Sequence, residues 1–138
     1  MDNIVTPYAD ARSIVVFDTI PEGCETFTVR PERKSNDFPA GTVVVVDPSQ
    51  ADPQDSGMFL LQWSSGARDV VEVRRWLKSD DKDGGPLWIA TWVTRAYNIY
   101  GQPLEAMRWG DGPYPDWAFR EKLIGRVIGI YMPTGWTD

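Results

Sequence analysis

With 138 residues, 42% of them hydrophobic and 25% charged, the chain has room for one domain on one core and the balance of a folded globular protein. Twenty acidic against 14 basic residues leave a net charge of -6, which repels phosphate backbones and argues against nucleic-acid binding by this chain alone. Histidine is absent and Cys24 is the only cysteine, which excludes Ser-His-Asp and Cys-His catalysis, an intrachain disulfide, and zinc sites of four cysteines or of three with a histidine.

The opening Met-Asp-Asn is not a basic region leading into an apolar stretch, and no run approaches the ~18 apolar residues of a membrane span. A cytoplasmic protein without membrane contact is the expectation. Residues 13–17 and 26–29 are short strand candidates separated by the Pro21-Glu22-Gly23 turn. Residues 43–46, four consecutive valines between Gly41 and Asp47-Pro48, read as a buried strand. MFLLQW at 58–63 has turn residues on both sides and pairs as a hairpin with residues 69–77. There Val71 and Val73 alternate with Glu72 and Arg74, the pattern of a strand with one covered face.

The polar run 79–86 is a turn rather than a calcium loop, because counting from Asp81 puts Trp92 where an EF-hand needs glutamate. LWIATWV at 87–93 resumes strand character. Residues 97–117 carry Gly101, Pro103, Gly110, Gly112, Pro113 and Pro115, which leaves at most a short turn near 104–108. Asp111 there is explained by turn chemistry, and with Glu105 it supports no glycosidase assignment. LIGRVIGIYM at 123–132 is the last core strand, its Gly125 and Gly129 marking close backbone approach or a bulge.

Short strands joined by turns, without a long amphipathic helix, predict an all-β, mainly β fold that curls into a barrel-like sheet to protect its edges. A single domain spans 1–138, its core at about 13–132 between a short N-terminal arm and a C-terminal tail. Of the seven tryptophans, Trp63, Trp76, Trp88 and Trp92 fall in predicted strands and belong to the core. Trp109, Trp117 and Trp136 fall in loop or terminal segments, where aromatic side chains suit an interface.

The stretch FTVRPERKSNDFPAGTVVVVDP at 27–48 resembles the C-terminal domain of the LexA-like, S24 peptidase family, which includes phage repressor C-terminal domains and UmuD-like proteins. Asp55-Ser56-Gly57 with MFLLQW, Val71-Glu72-Val73-Arg74-Arg75, and IGRVIG at 124–129 agree with the family order, so the resemblance covers roughly residues 26–132. It implies a LexA- and signal-peptidase-like sheet, a Ser-Lys dyad, self-association and control of transcription in phage or bacteria.

The dyad positions are degenerate. Arg33 stands at the place of the nucleophilic serine, Lys34 at that of the following methionine, and Arg74 at that of the activating lysine. A guanidinium cannot deprotonate a hydroxyl, and an arginine side chain has no nucleophilic oxygen. Ser35 lies two residues along, and an extended chain carries its hydroxyl ~6–7 Å from the dyad position. The Ala-Gly or Cys-Gly cleavage segment is represented only by the reversed Gly23-Cys24, and no helix-turn-helix precedes it.

The expectation is a non-catalytic S24-like interaction domain, with no cofactor and no metal. Arg30, Arg33, Lys34, Arg74 and Arg75 would offer a cleft to an acidic peptide or a protein's terminal carboxylate, and Glu32, Asp37 and Glu72 are candidate intramolecular partners. A homodimer would form by pairing of an exposed C-terminal strand across a two-fold axis. The alternatives are a self-cleaving Ser/Lys peptidase of the same family and a small β-barrel binder of an unrelated ligand.

Overall fold

The structure, a computed structural model, describes residues 3–8, 12–30, 38–77, 85–94, 98–102 and 107–133. In chain order the strands are β1 (Asn3–Tyr8), β2 (Arg12–Phe17), β3 (Glu25–Thr28), β4 (Val43–Asp47), β5 (Gly57–Gln62), β6 (Arg68–Arg75), β7 (Leu87–Thr94), β8 (Met107–Pro115) and β9 (Leu123–Tyr131), with one short helix, α1 (Asp116–Arg120), between the last two. The all-β expectation holds. None of the described helices is long and apolar enough to cross a membrane.

All nine strands belong to one sheet, ordered β1-β2-β9-β5-β6-β7-β8, with β4 on β9 and β3 on β4. Among the described residues nothing pairs β8 back to β1, so the sheet is open where a barrel-like closure was expected. Among the described residues every pairing is antiparallel except β2 with β9.

The organising strand is β9. Ile130 lies in register with both Val16 and Val44, and Arg126 with both Phe59 and Asp47. Because a strand has two edges, β4 runs along one of them while β5 and then β2 share the other. The C-terminal strand is therefore internal, and the expected free edge for a two-fold pairing is already occupied. Register shifts at Val45/Val46 and at Leu60/Leu61 leave Ile128 and Ile124 as the extra residues of two bulges on β9, each followed by glycine.

The hairpin β5–β6 separates two cores. Leu60 and Val70 face one, with Val16, Val29, Val44 and Ile130. Phe59, Leu61, Val71 and Val73 face the other, with Trp88 and Phe119. Burial on both faces replaces the expected alternation in β6, where Glu72 is buried along with its valine neighbours. Thr91 on β7 donates its hydroxyl to the Glu72 carbonyl (3.0 Å), closing that polar contact inside the sheet.

Two elements were not expected. β1 forms where an arm was predicted, by antiparallel pairing from Asn3 with Phe17 to Tyr8 with Arg12. β8 forms despite Gly110, Gly112, Pro113 and Pro115 because it pairs on one side only, with β7, where missing donors are tolerated. Gly110 also allows close approach, since a Cβ there would sit 2.8 Å from Ile89 Cδ1.

At the start of β5, Ser56 has a positive φ of 69°, alone among the described non-glycine residues, and its N–H donates to Val73 O at 2.7 Å. The exposed side chain contributes no packing there. Ser56→Gly removes the left-handed penalty at the cost of some unfolded-state entropy and should stabilise by roughly 0.5–1 kcal/mol. A thermal melt checks this; an unchanged or lower midpoint would mean the serine compensates its own strain.

Candidate functional site

The arginines of the expected cleft do not all gather. Arg74 and Arg75 are successive residues at the end of β6 and point to opposite faces. Arg74, opposite Ile89, places Nη2 3.3 Å from Glu72 Oε1, so one of the expected carboxylate partners is in place. Its side chain is 42% exposed, which leaves the pair a small net contribution. Arg75 belongs to the other face: its N–H donates to Asp55 Oδ1 (2.9 Å) and its guanidinium lies 6.0 Å from the Trp88 ring centroid.

Arg30 is exposed, just beyond Val29, whose backbone is bonded to Thr42 and Gly41. Arg33 and Lys34 lie outside the described residues, as do Glu32, Ser35, Asp37 and the 79–84 part of the polar run. Among the described residues there is no group of three or more metal-ligating side chains.

A second group of residues is assembled in detail at the other core. Asp111 is in β8 rather than a turn, and its Oδ2 accepts from Trp63 Nε1 and from the Tyr114 hydroxyl, both at 2.7 Å. Burial, together with the Asp111 carboxylate, pushes the Tyr114 hydroxyl up to about 12, so it stays protonated and serves as a donor. The Tyr114 ring sits 6.1 Å from the Phe119 ring, and Lys122 Nζ lies 5.0 Å over its face. Glu105 and Trp136 lie outside the described residues, while Trp109 falls within β8, opposite Trp92.

These contacts fix α1. Pro115 enters it in extended conformation, Asp116 and Arg120 complement its dipole, and Phe119 is fully buried beneath it. Asp116 Oδ1 accepts from Trp88 Nε1 (2.9 Å) and its Oδ2 from Arg120 Nε (2.6 Å), while Arg120 also bonds Asp52. Burial raises the Asp116 carboxyl, but the bonds from Arg120 and Trp88 outweigh it and hold the group below its ordinary value. Both indole N–H groups are thus satisfied by aspartates, a link that neither residue's sequence neighbourhood reveals.

Trp117, between these anchors, remains 67% exposed. Leu77 is 85% exposed at the same end of the sheet: Trp76 N–H donates to Leu87 O, and Leu87 is in register with Pro115, the residue before α1. Of the tryptophans expected in the core, Trp88 is buried and Trp63 is half-buried. No protein-family model, curated protein or solved structure matches the chain significantly.

Proposed function

We propose that the chain is a non-catalytic, self-associating β-sheet module that makes protein contacts through the face around Trp117. The S24-like resemblance, with its implied role in phage or bacterial transcription control, is part of this reading. The segments carrying it fall on β4, β5, β6 and β9, which are neighbours in one sheet. Arg74 stands at the lysine position with its guanidinium engaged by Glu72.

The observation that carries the reading is the mounting of Trp117: residues on both sides are pinned, yet its own side chain is 67% exposed. A tryptophan held rigid in water costs little entropy to bind and belongs to the residue types that dominate interface energetics. Burying Trp117 and Leu77 supplies roughly 3–5 kcal/mol, below or near the cost of association, so the surrounding surface must also be covered.

Trp117→Ser tests this by sedimentation equilibrium beside the wild type. The wild type should associate and the variant should be monomeric, with the same far-ultraviolet circular dichroism. Association of equal strength in both would remove Trp117 from the contact.

A further inference from the structure

The N-terminal hairpin is joined to the rest of the sheet along a short seam. β1 and β2 pair with each other over the full length of both, from Asn3 with Phe17 to Tyr8 with Arg12. β2 meets β9 only at Val16 with Ile130 and Phe17 with Tyr131, and Met132 N–H donates to Phe17 O (2.8 Å) just beyond. The contact is short because β5 holds residues 123–126 of the same β9 edge, so β2 joins it only where β5 has left it. The pairing is also parallel, which is slightly weaker per residue than antiparallel. Among the described residues β1 pairs with β2 alone.

Packing divides along the same seam. The hairpin gives the first core Val16 and the partly buried Ile14, while Val44, Val46, Leu60, Val70 and Ile130 come from other strands. Among the described residues it gives nothing to the second core. Gly129 is what lets it close, since the Val15 carbonyl and the Phe17 ring both lie against that glycine. The link to β3, residues 18–24, leaves Thr19, Ile20, Glu22 and Gly23 exposed and is turned by the bond from Cys24 N–H to Pro21 O (3.1 Å).

We infer that β1 and β2 act as a strap, which lifts from β9 on the 18–24 link while the remaining strands stay folded. Lifting breaks the seam and uncovers Val16, Phe17 and the Ile130 side of the first core. The pairings among β4, β5, β6, β7, β8 and β9 do not depend on it. Since β1 has β2 for its support, and an isolated two-stranded hairpin is marginal in water, both strands lose protection together. The strap is independent of the role proposed for Trp117, because α1 rests on the second core through Phe119.

Amide-resolved hydrogen exchange of the full chain, followed by NMR, tests this. The protected amides of β1 and β2 should share one opening constant, with protection roughly ten-fold or more below that of the slowest amides in β4, β5 and β9. In a urea series their exchange should respond weakly, because little surface is exposed, while the slowest amides respond with the full slope of unfolding. Leu61→Ala truncates a side chain buried in the second core and should cut the protection of the slowest amides roughly thirty-fold or more. The hairpin amides should stay within about two-fold of the wild type, since lifting the strap leaves that core intact.

Hairpin amides that match the slowest ones, or that follow them with the full urea slope, would show that the hairpin leaves only when the whole sheet unfolds. Hairpin amides without protection would show that it is not docked. Each result overturns the strap, and the urea series on the wild type decides the matter even where Leu61→Ala does not fold.

Discussion

Gly129→Ala should be among the most destabilising single substitutions in the chain. A Cβ at position 129 would fall on the carbonyl oxygen of Val15 and 2.7 Å from Phe17 Cε2. The first obstacle is backbone, and it belongs to β2 where that strand meets β9. Relief requires the parallel pairing of Val16 with Ile130 and Phe17 with Tyr131 to open, which exposes residues of the first core. Overpacking against backbone at a buried position costs roughly 3 kcal/mol or more, a large share of the stability of a small domain. For a chain of this size the midpoint should fall by about 10 °C or more, or the protein should be insoluble.

Gly125→Ala should behave similarly, since its Cβ would lie 2.5 Å from Asp47 O and 2.9 Å from Pro48 Cα. The control is Gly85→Ala, where nothing lies within 4 Å and no left-handed φ is required. Thermal melts of the three variants decide it; a Gly129→Ala midpoint equal to that of Gly85→Ala would show that β2 yields freely.

Both glycines were legible in the sequence as points of close approach, because glycine inside an apolar β run has few other reasons to be there. The buried valine run of β4, the β5–β6 hairpin with its turn residues, and the strand character of β7 were legible for the same kind of reason: short β-branched or aromatic runs bounded by breakers. β8 was not, since its prolines and glycines read as loop unless it is known to be an edge strand. Nor was β1, whose pairing with β2 supplies what its own composition does not.

The two-sided burial of β5–β6 is a tertiary fact. Alternation of Val71 and Val73 with Glu72 and Arg74 is compatible with one covered face or two, and only the packing of a second core decides. The exposed apolar residues were half legible. Trp117 stood out as a tryptophan outside the expected strands, but Leu77, Ile99 and Tyr100 are ordinary apolar letters whose exposure depends on where the turns lie. Asp111 read as a turn former and Asp116 drew no reading, because nothing in the sequence brings them to indoles 48 and 28 residues away.

The surroundings of Arg74 and of α1 differ in how firmly contacts fix them. At the end of β6 a half-exposed Arg74 meets one carboxylate, an arrangement cheap to lose. At α1, Asp116 bonds Trp88, Arg120 bonds Asp52 and Phe119 is buried, so three of the five helical residues are tied to the rest of the molecule. A helix this short has no stability of its own, so its position is entirely a product of those contacts.

Phe119→Ala should therefore do two separable things. Phe119 is fully buried in the second core, and truncating it leaves a cavity that costs about 3–5 kcal/mol, enough to lower the thermal midpoint by more than 10 °C. It also removes the apolar anchor of α1, leaving the helix held by the Asp116 bond to Trp88 and the Arg120 bond to Asp52. Phe119→Leu keeps most of the volume and should cost about 1–2 kcal/mol while leaving α1 docked. If Trp117 acts through rigid presentation, self-association at a temperature where all forms are folded should follow the order wild type, Phe119→Leu, Phe119→Ala, with the last close to Trp117→Ser. Sedimentation alongside circular dichroism measures both effects. Full association by a folded Phe119→Ala protein would show that the helix does not need its buried anchor to present the tryptophan.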